Sequence, residues 1–458
     1  MDTVAHRHHI RTTTPSNPRE GVDGRNEEIR DTTGGYDVTS LRVNGERLLA
    51  QLRELSAFGA TPAGGVNRVA YGEADLEARE YVMGLMRDAG LRLKVDAAAN
   101  ILGHAPGRNP ELPPLLIGSH IDSVPDGGRY DGPLGSLAAI EAAATLAEHG
   151  IVLGHPLEVV IFQNEEGGLV GSRAMRGDLA DADLERVSTS GKIIREGIAF
   201  LGGDPDALAS ARRAPGEIAA YLELHIEQGS VLESAHIDIG VVEGLVGIRH
   251  WEVTISGVAS HAGTTPMSDR RDALLSAAKF IEAVHRVVTG TPGRHVGTVG
   301  RLQALPGAPN VIPGTVVLTL ELRDTDARTI RALYEQLVVS ARGIAESTGT
   351  SFQFQETNAN PPAPMDERVR VLIAESAERL GLTWLSMPSG AGHDAQNMAA
   401  LCPAGMIFVP SVGGISHAPQ ERTLPADVIN GANVLLQTVL ALDGARLPVS
   451  PHAADPRA

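Results

Sequence analysis

The chain has 458 residues, enough for two or three domains, and its 42% hydrophobic and 21% charged content is ordinary for a soluble chain with a sizeable core. A formal net charge of −17 argues against a nucleic-acid or anionic-membrane partner, because both need a basic footprint. The one cysteine, Cys402, excludes an internal disulfide framework and fits a reducing cytoplasm; set just before the apolar run Gly405–Val409, it reads as a packed, inert thiol.

Residues 1–38 read as a disordered polar tail without the apolar core of a secretory signal, and His6, His8 and His9 fall inside it. No stretch approaches the roughly 18 consecutive apolar residues of a membrane span. Leu48, Leu49, Leu52 and Leu55 then recur at helical spacing, and Tyr81, Val82, Leu85 and Met86 mark a second helix closed by Gly90. Leu91–Val95 and Leu115–Gly118 read as strands, Leu134–His149 as a helix, Leu157–Phe162 and Ala219–Leu224 as buried strands. The middle section predicts strand residues from Ile239 to Ile255, a helix over Arg271–Val288, strands at Val296–Leu302 and Val316–Leu322, a helix at Asp326–Glu346 and a strand at Ser351–Glu356. That β-α-β-β-α-β order is a ferredoxin-like unit. Helices at Asp366–Leu380, Asp394–Ala400 and Ala426–Leu442 and a strand at Ala404–Val409 complete the chain before a second polar tail. The fold class expected is α/β: a domain with a largely parallel sheet flanked by helices, residues 39–238 and 358–446, interrupted by the small unit at 239–357, with a tail at 447–458.

Four predicted strand ends carry chemically active residues, and open α/β sheets bind ligands there. GSHIDSVPDGGRYDGPLG places His120, Asp122 and Asp131 after one strand; FQNEEGG places Glu165 and Glu166 after the next; ELHIEQG carries His225 and Gln228; GGISHAPQE carries His417. Taken singly, each has a bland reading: a hydrogen-bonded histidine, a solvated glutamate pair, an Asp-Gly turn. Their conjunction points elsewhere. Three histidines and two carboxylates suit Zn²⁺ or Mn²⁺, and five such groups suit a dinuclear site with one bridging carboxylate. Glu165 is then surplus as a ligand and fits a general base beside a metal-bound water.

In their order and spacing, from about Val43 to Leu442, these motifs resemble the hydantoinase/carbamoylase family of metal-dependent amidases, relatives of aminoacylases and dinuclear-metal carboxypeptidases. The resemblance implies two divalent ions per subunit, Zn or Mn, with Co possible in vitro. Asp131 would bridge them, His120 and His225 would complete one site, and Glu166 and His417 the other. Asp122 would orient His120, Glu165 would move the proton, and His225, where peptidase relatives usually carry a carboxylate, favours the amidase branch. It also implies that the inserted unit is a lid and dimerisation domain, that His261 and Asn310 contact the substrate carbonyl or carboxylate, with His261 the oxyanion stabiliser, and that Gln228 reads a ureido group. Arg323 is by its chemistry the natural bidentate partner of a substrate carboxylate, against the plain alternative of a surface ion pair with Asp324 or Asp326. His393 and Asp394 in SGAGHDAQ match a family motif and read as support for the metal loop. One departure stands out: family members commonly carry an Arg-Phe pair after the double glutamate, absent from Glu165-Glu166-Gly167-Gly168-Leu169-Val170-Gly171-Ser172, which leaves the pocket wall and the exact substrate open. The expected activity is hydrolysis of the carbamoyl bond of N-carbamoyl-L-amino acids or related small ureido acids by a cytoplasmic homodimer. Allantoate is the runner-up substrate, and an aminoacylase or dipeptidase activity the more distant alternative.

Overall fold

Alternation along the strands builds the central layer. In β3 (Leu115–His120), Leu115 and Ile117 face one hydrophobic core while Leu116 faces the other, so both sides of the sheet are covered. The computed structural model describes residues 40–445; both tails of the sequence reading lie outside the described residues. The other strands of this sheet are β1 (Arg92–Val95), β2 (Ile101–Ala105), β4 (Leu157–Phe162), β5 (Ala220–Ile226), β6 (Ile239–Leu245), β14 (Ala363–Pro364), β15 (Trp384–Ser389) and β16 (Ala404–Val409). They run β1-β2-β4-β3-β5-β16-β6-β14, with β15 paired to β6. The neighbours β4, β3, β5 and β16 are mutually parallel, and antiparallel pairs are confined to the flanks.

Helices lie on both faces. Gly45–Leu55 presents Leu48, Leu52 and Leu55 inward and is capped by Asn44, whose side chain accepts from Arg47 N–H. Pro133–Glu148 is buried along nearly all its length, with Pro133 in its first turn and a run of alanines that lets it lie close between the sheet and its helical neighbours.

The second sheet is antiparallel: β7 (Gly247–Ser256), β9 (Val296–Thr298), β10 (Leu302–Leu305), β12 (Thr315–Asp324) and β13 (Ser351–Asn360), ordered β10-β12-β7-β13 with β9 also on β12. β8 (Ser260–His261) and β11 (Val311–Ile312) form a small separate ladder. One face of the second sheet buries Trp251, Val253, Ile255, Val316, Leu318, Leu320 and Leu322 against the helices Ala273–Gly290 and Ala327–Thr348. Asp272 and Asp326 cap those helices, each accepting from the first turn.

Several elements differ from the sequence reading. Ile239–Leu245 and Gly247–Ser256 read as one strand opening the small unit at 239, yet β6 belongs to the larger sheet and only β7 to the smaller. A single residue, Val246, separates them, too little to break an apolar run. The distinction lies in burial: β6 is buried on both faces, whereas β7 alternates. Ile101–Ala105 and Trp384–Ser389 are strands the periodicity did not reveal, and the helix expected at 394–400 shrinks to Ala395–Met398.

Candidate metal centre

The four parallel neighbours β4, β3, β5 and β16 end side by side, and each contributes to one cluster. His120 is the last residue of β3, His225 the penultimate residue of β5, and Glu165 and Glu166 follow β4 after Gln163 and Asn164. His417 lies in the loop after β16 with a positive φ of 55°. Asp131 sits between them at the mouth of helix Pro133–Glu148. Its Oδ1 is 3.6 Å from His120 Nε2 and 3.3 Å from His225 Nε2, and its Oδ2 is 3.3 Å from His417 Nε2. His417 Nε2 is also 3.3 Å from Glu166 Oε1. The cluster thus divides into His120, Asp131 and His225 on one side and Asp131, Glu166 and His417 on the other. Gly132 makes this approach possible: its φ is 82°, and a Cβ there would meet the His120 ring at 2.4 Å.

The histidine tautomers follow from their outer partners. His120 Nδ1 is 3.0 Å from the Asp122 carbonyl oxygen and His225 Nδ1 is 2.9 Å from that of Ile226, so both donate from Nδ1. Both Nε2 atoms are then bare, buried and without a hydrogen-bond partner, aimed at a carboxylate. Unpaired lone pairs facing a carboxylate call for a cation between them, and imidazole plus carboxylate is a donor set suited to a divalent ion such as Zn²⁺ or Mn²⁺. In the chain alone, burial pulls the His120 imidazolium down, but the charges of Glu165, Asp122 and Asp131 outweigh it and raise it well above the usual range. Burial pushes the Asp131 carboxyl up, and His225, His120 and His417 together hold it well below its usual value.

Glu165 occupies a different environment from its neighbour. It is buried, with Oε2 3.9 Å from His120 Nε2 and Oε1 3.9 Å from His393 Nδ1, and belongs to neither ligand group. Burial raises its carboxyl well above the usual range and the nearby Glu166 charge adds to this, while His120 opposes it. Asp122 meets His120 Nδ1 through its backbone carbonyl at 3.0 Å, with its carboxylate Oδ1 3.6 Å from the same nitrogen; the carboxylate oxygens also accept from the N–H groups of Glu165 and Glu166, at 3.2 Å each.

The remaining sequence candidates are placed as follows. Gln228, also at positive φ, donates from Nε2 to Asp131 Oδ2 at 2.6 Å, and its Oε1 is buried without a partner. Arg323 pairs with Glu321 Oε1 at 2.7 Å, not with Asp324 or Asp326, and reaches across to the Gly390 carbonyl at 2.9 Å, in the loop that leads to His393. His261 and Asn310 are joined by the Ala262 N–H to Asn310 O bond, and both are exposed. Among the described residues neither bonds to the metal-type cluster. The His393 ring lies tilted against that of His225, 4.4 Å between centroids, and contacts Ser389 Oγ through Nε2 at 3.1 Å. Burial, then the His225 charge, holds His393 well below the usual imidazole range.

Two carboxylates escaped the sequence reading. Glu223 lies within ligand distance of His225 and His393. Its oxygens are already taken by Ser119 Oγ, Tyr221 Oη and Ala395 N–H, so it works as a buried acceptor and not as a third ligand set. Glu421 accepts from the backbone of the Asp131 loop; its only signal was its place in GGISHAPQE, four residues after His417.

The chain is similar to known proteins over most of its length. Residues 116–441 match the family described as peptidase family M20/M25/M40. An N-carbamoyl-L-amino acid amidohydrolase of Geobacillus stearothermophilus is 42% identical over 405 residues, covering 87% of this chain and 99% of that protein. A ureidoglycolate hydrolase of Arabidopsis thaliana is 38% identical over 419 residues, covering 88% of each. The crystal structure of a hydantoinase/carbamoylase family amidase from Burkholderia multivorans superposes with a TM-score of 0.81 at 36% identity, covering 89% of this chain and all of that one. With the motif order, the sheet and these full-length matches in agreement, the chain belongs to peptidase family M20/M25/M40, within its hydantoinase/carbamoylase amidases.

Proposed function

We propose that this protein is a metal-dependent amidohydrolase that cleaves the carbamoyl C–N bond of small ureido acids, with N-carbamoyl-L-amino acids its substrate class. The observation that carries the reading is the pair of bare, buried Nε2 atoms of His120 and His225 aimed at Asp131, whose other oxygen faces His417 beside Glu166. Those five residues would hold two divalent ions, Zn or Mn, with Asp131 between them. When bound, such ions supply Lewis-acid polarisation and a nucleophilic water at neutral pH.

The chain's own residues account for the rest. Glu165, close to both His120 and His393 yet outside the ligand groups, takes the proton of the attacking water and returns it to the leaving nitrogen. Gln228 Oε1, a buried acceptor with nothing to accept from, fits the N–H groups of a carbamoyl substrate. Arg323, on the small unit and already touching the Gly390 loop, grips the substrate carboxylate. His261 and Asn310 are exposed in their own chain, and β10 presents Leu302 and Leu305 along a sheet edge. A homodimer through the small units would cover that edge and bring His261, as oxyanion stabiliser, and Asn310 to the partner's site. The experiment is a substrate panel. Metal-loaded protein should release ammonia from N-carbamoyl-L-amino acids faster than from allantoate or ureidoglycolate, and should leave N-acetyl amino acids and dipeptides nearly untouched. A preference for the last two would overturn the ureido assignment.

A further inference from the structure

Glu421 ties together the two loops that supply the more exposed half of the site. Its side chain is 4% exposed; Oε1 accepts from the N–H of Tyr130 at 2.8 Å and of Asp131 at 3.1 Å, and Oε2 accepts from Ser416 Oγ at 2.8 Å. Ser416 Oγ also stands 2.8 Å from Asp131 Oδ2, and Ser416 immediately precedes His417. One buried carboxylate therefore spans 290 residues of sequence, from the Asp131 loop to the His417 loop. Room for it is built in: a Cβ on Gly128 would lie 1.9 Å from the Glu421 carboxyl carbon.

The two halves of the site are not anchored alike. His120 and His225 are fully buried at the ends of paired strands, each with its second ring nitrogen bonded to a backbone carbonyl. His417 stands on a loop with its side chain 47% exposed and its backbone at positive φ. Val412 N–H to Arg422 O and Gly413 N–H to Glu233 hold the base of its loop, and Ser416–Glu421 ties the His417 end of it to the Asp131 loop.

We propose that Glu421, acting through Ser416 and the Asp131 backbone, is a positioning residue that sets the Asp131–Glu166–His417 site for its metal, and affects the His120–Asp131–His225 site, whose histidines are anchored on paired strands, much less. This rests on the metal ligands assigned under the proposed function. Supporting residues of this kind typically change metal affinity ten- to a hundredfold when removed.

The test is equilibrium dialysis of the full chain against graded Zn²⁺, reading metal per chain, with melting of the metal-free protein as a control. The unaltered chain should hold two ions. Glu421→Ala should lose one of them with about ten- to a hundredfold weaker binding and keep the other within a few-fold. Ser416→Ala, which deletes one hydroxyl and decides the matter should Glu421→Ala not fold, should weaken the same single ion by about tenfold. Two ions held with unaltered affinity in folded variants, or equal weakening of both, would overturn the proposal. An unaltered chain that takes up no Zn²⁺ would instead overturn the ligand assignment on which it rests.

Discussion

Glu165 and Glu166 are neighbours in sequence with opposite partners: Glu166 faces His417, while Glu165 sits between His120 and His393. Under the proposed function this would separate metal holding from proton transfer at adjacent positions. Glu165→Gln is therefore expected to keep its metal content while losing turnover by about 10²–10⁴, or more if the same group serves as base and acid. Metal analysis and rate on one preparation check this, and near-native turnover would remove Glu165 from the mechanism. Arg323 allows a sharper test. Lys cannot reproduce the parallel hydrogen bonds of a guanidinium, so Arg323→Lys should largely erase the preference for a carboxylate substrate over its amide analogue. If that preference survives, Arg323 is simply the ion-pair partner of Glu321. Residue identities at strand ends were legible because chemistry and position coincide there. Which atoms each one uses was not: Asp122 gives His120 its backbone carbonyl at hydrogen-bond distance, while its carboxylate, 3.6 Å from the same ring nitrogen, accepts from the glutamate turn.

At the scale of elements, continuous apolar runs revealed the parallel strands Leu115–His120, Leu157–Phe162 and Ala404–Val409, since strands covered on both faces need no polar alternation. The same property hid the break at Val246, because a buried strand running into an alternating one leaves no polar gap. Glu421 was illegible for a related reason: its partners are backbone N–H groups of a distant loop, which leave no side-chain signature. Close approach of helix and sheet beneath the site can be probed at Gly135 in helix Pro133–Glu148. A Cβ there would lie 2.1 Å from the Leu224 carbonyl oxygen, one residue before His225. Gly135→Ala should destabilise the chain by about 1–3 kcal/mol, since an overpacked contact with backbone cannot relax by a side-chain rotation. Denaturant melting measures this, and an unchanged midpoint would show that the helix can shift away without cost.

Among the described residues, the chain passes between the two larger sheets at Val246 and at the Pro361–Pro362 pair. These crossings lie side by side: a Cβ on Gly247 would touch Pro362. Arg323 to Gly390 and Arg294 to Glu243 are contacts that bridge the two units, so a small rotation about this narrow connection would carry Arg323 relative to the metal-type cluster. Exposure of His261 and Asn310 fits a site completed by a second copy. Mixing Glu165→Gln with His261→Ala protein, each inactive alone, should then restore turnover in the mixed dimer; no restoration would place His261 at its own chain's site. The proposed activity depends above all on two metal ions being held at this site. The most direct measurement titrates Zn²⁺, Mn²⁺ or Co²⁺ into chelator-treated protein and follows N-carbamoyl-L-amino acid hydrolysis. Activity should be abolished by the chelator and should return up to about two ions per chain, the stoichiometry of a two-metal site. Full activity in demonstrably metal-free protein would contradict it.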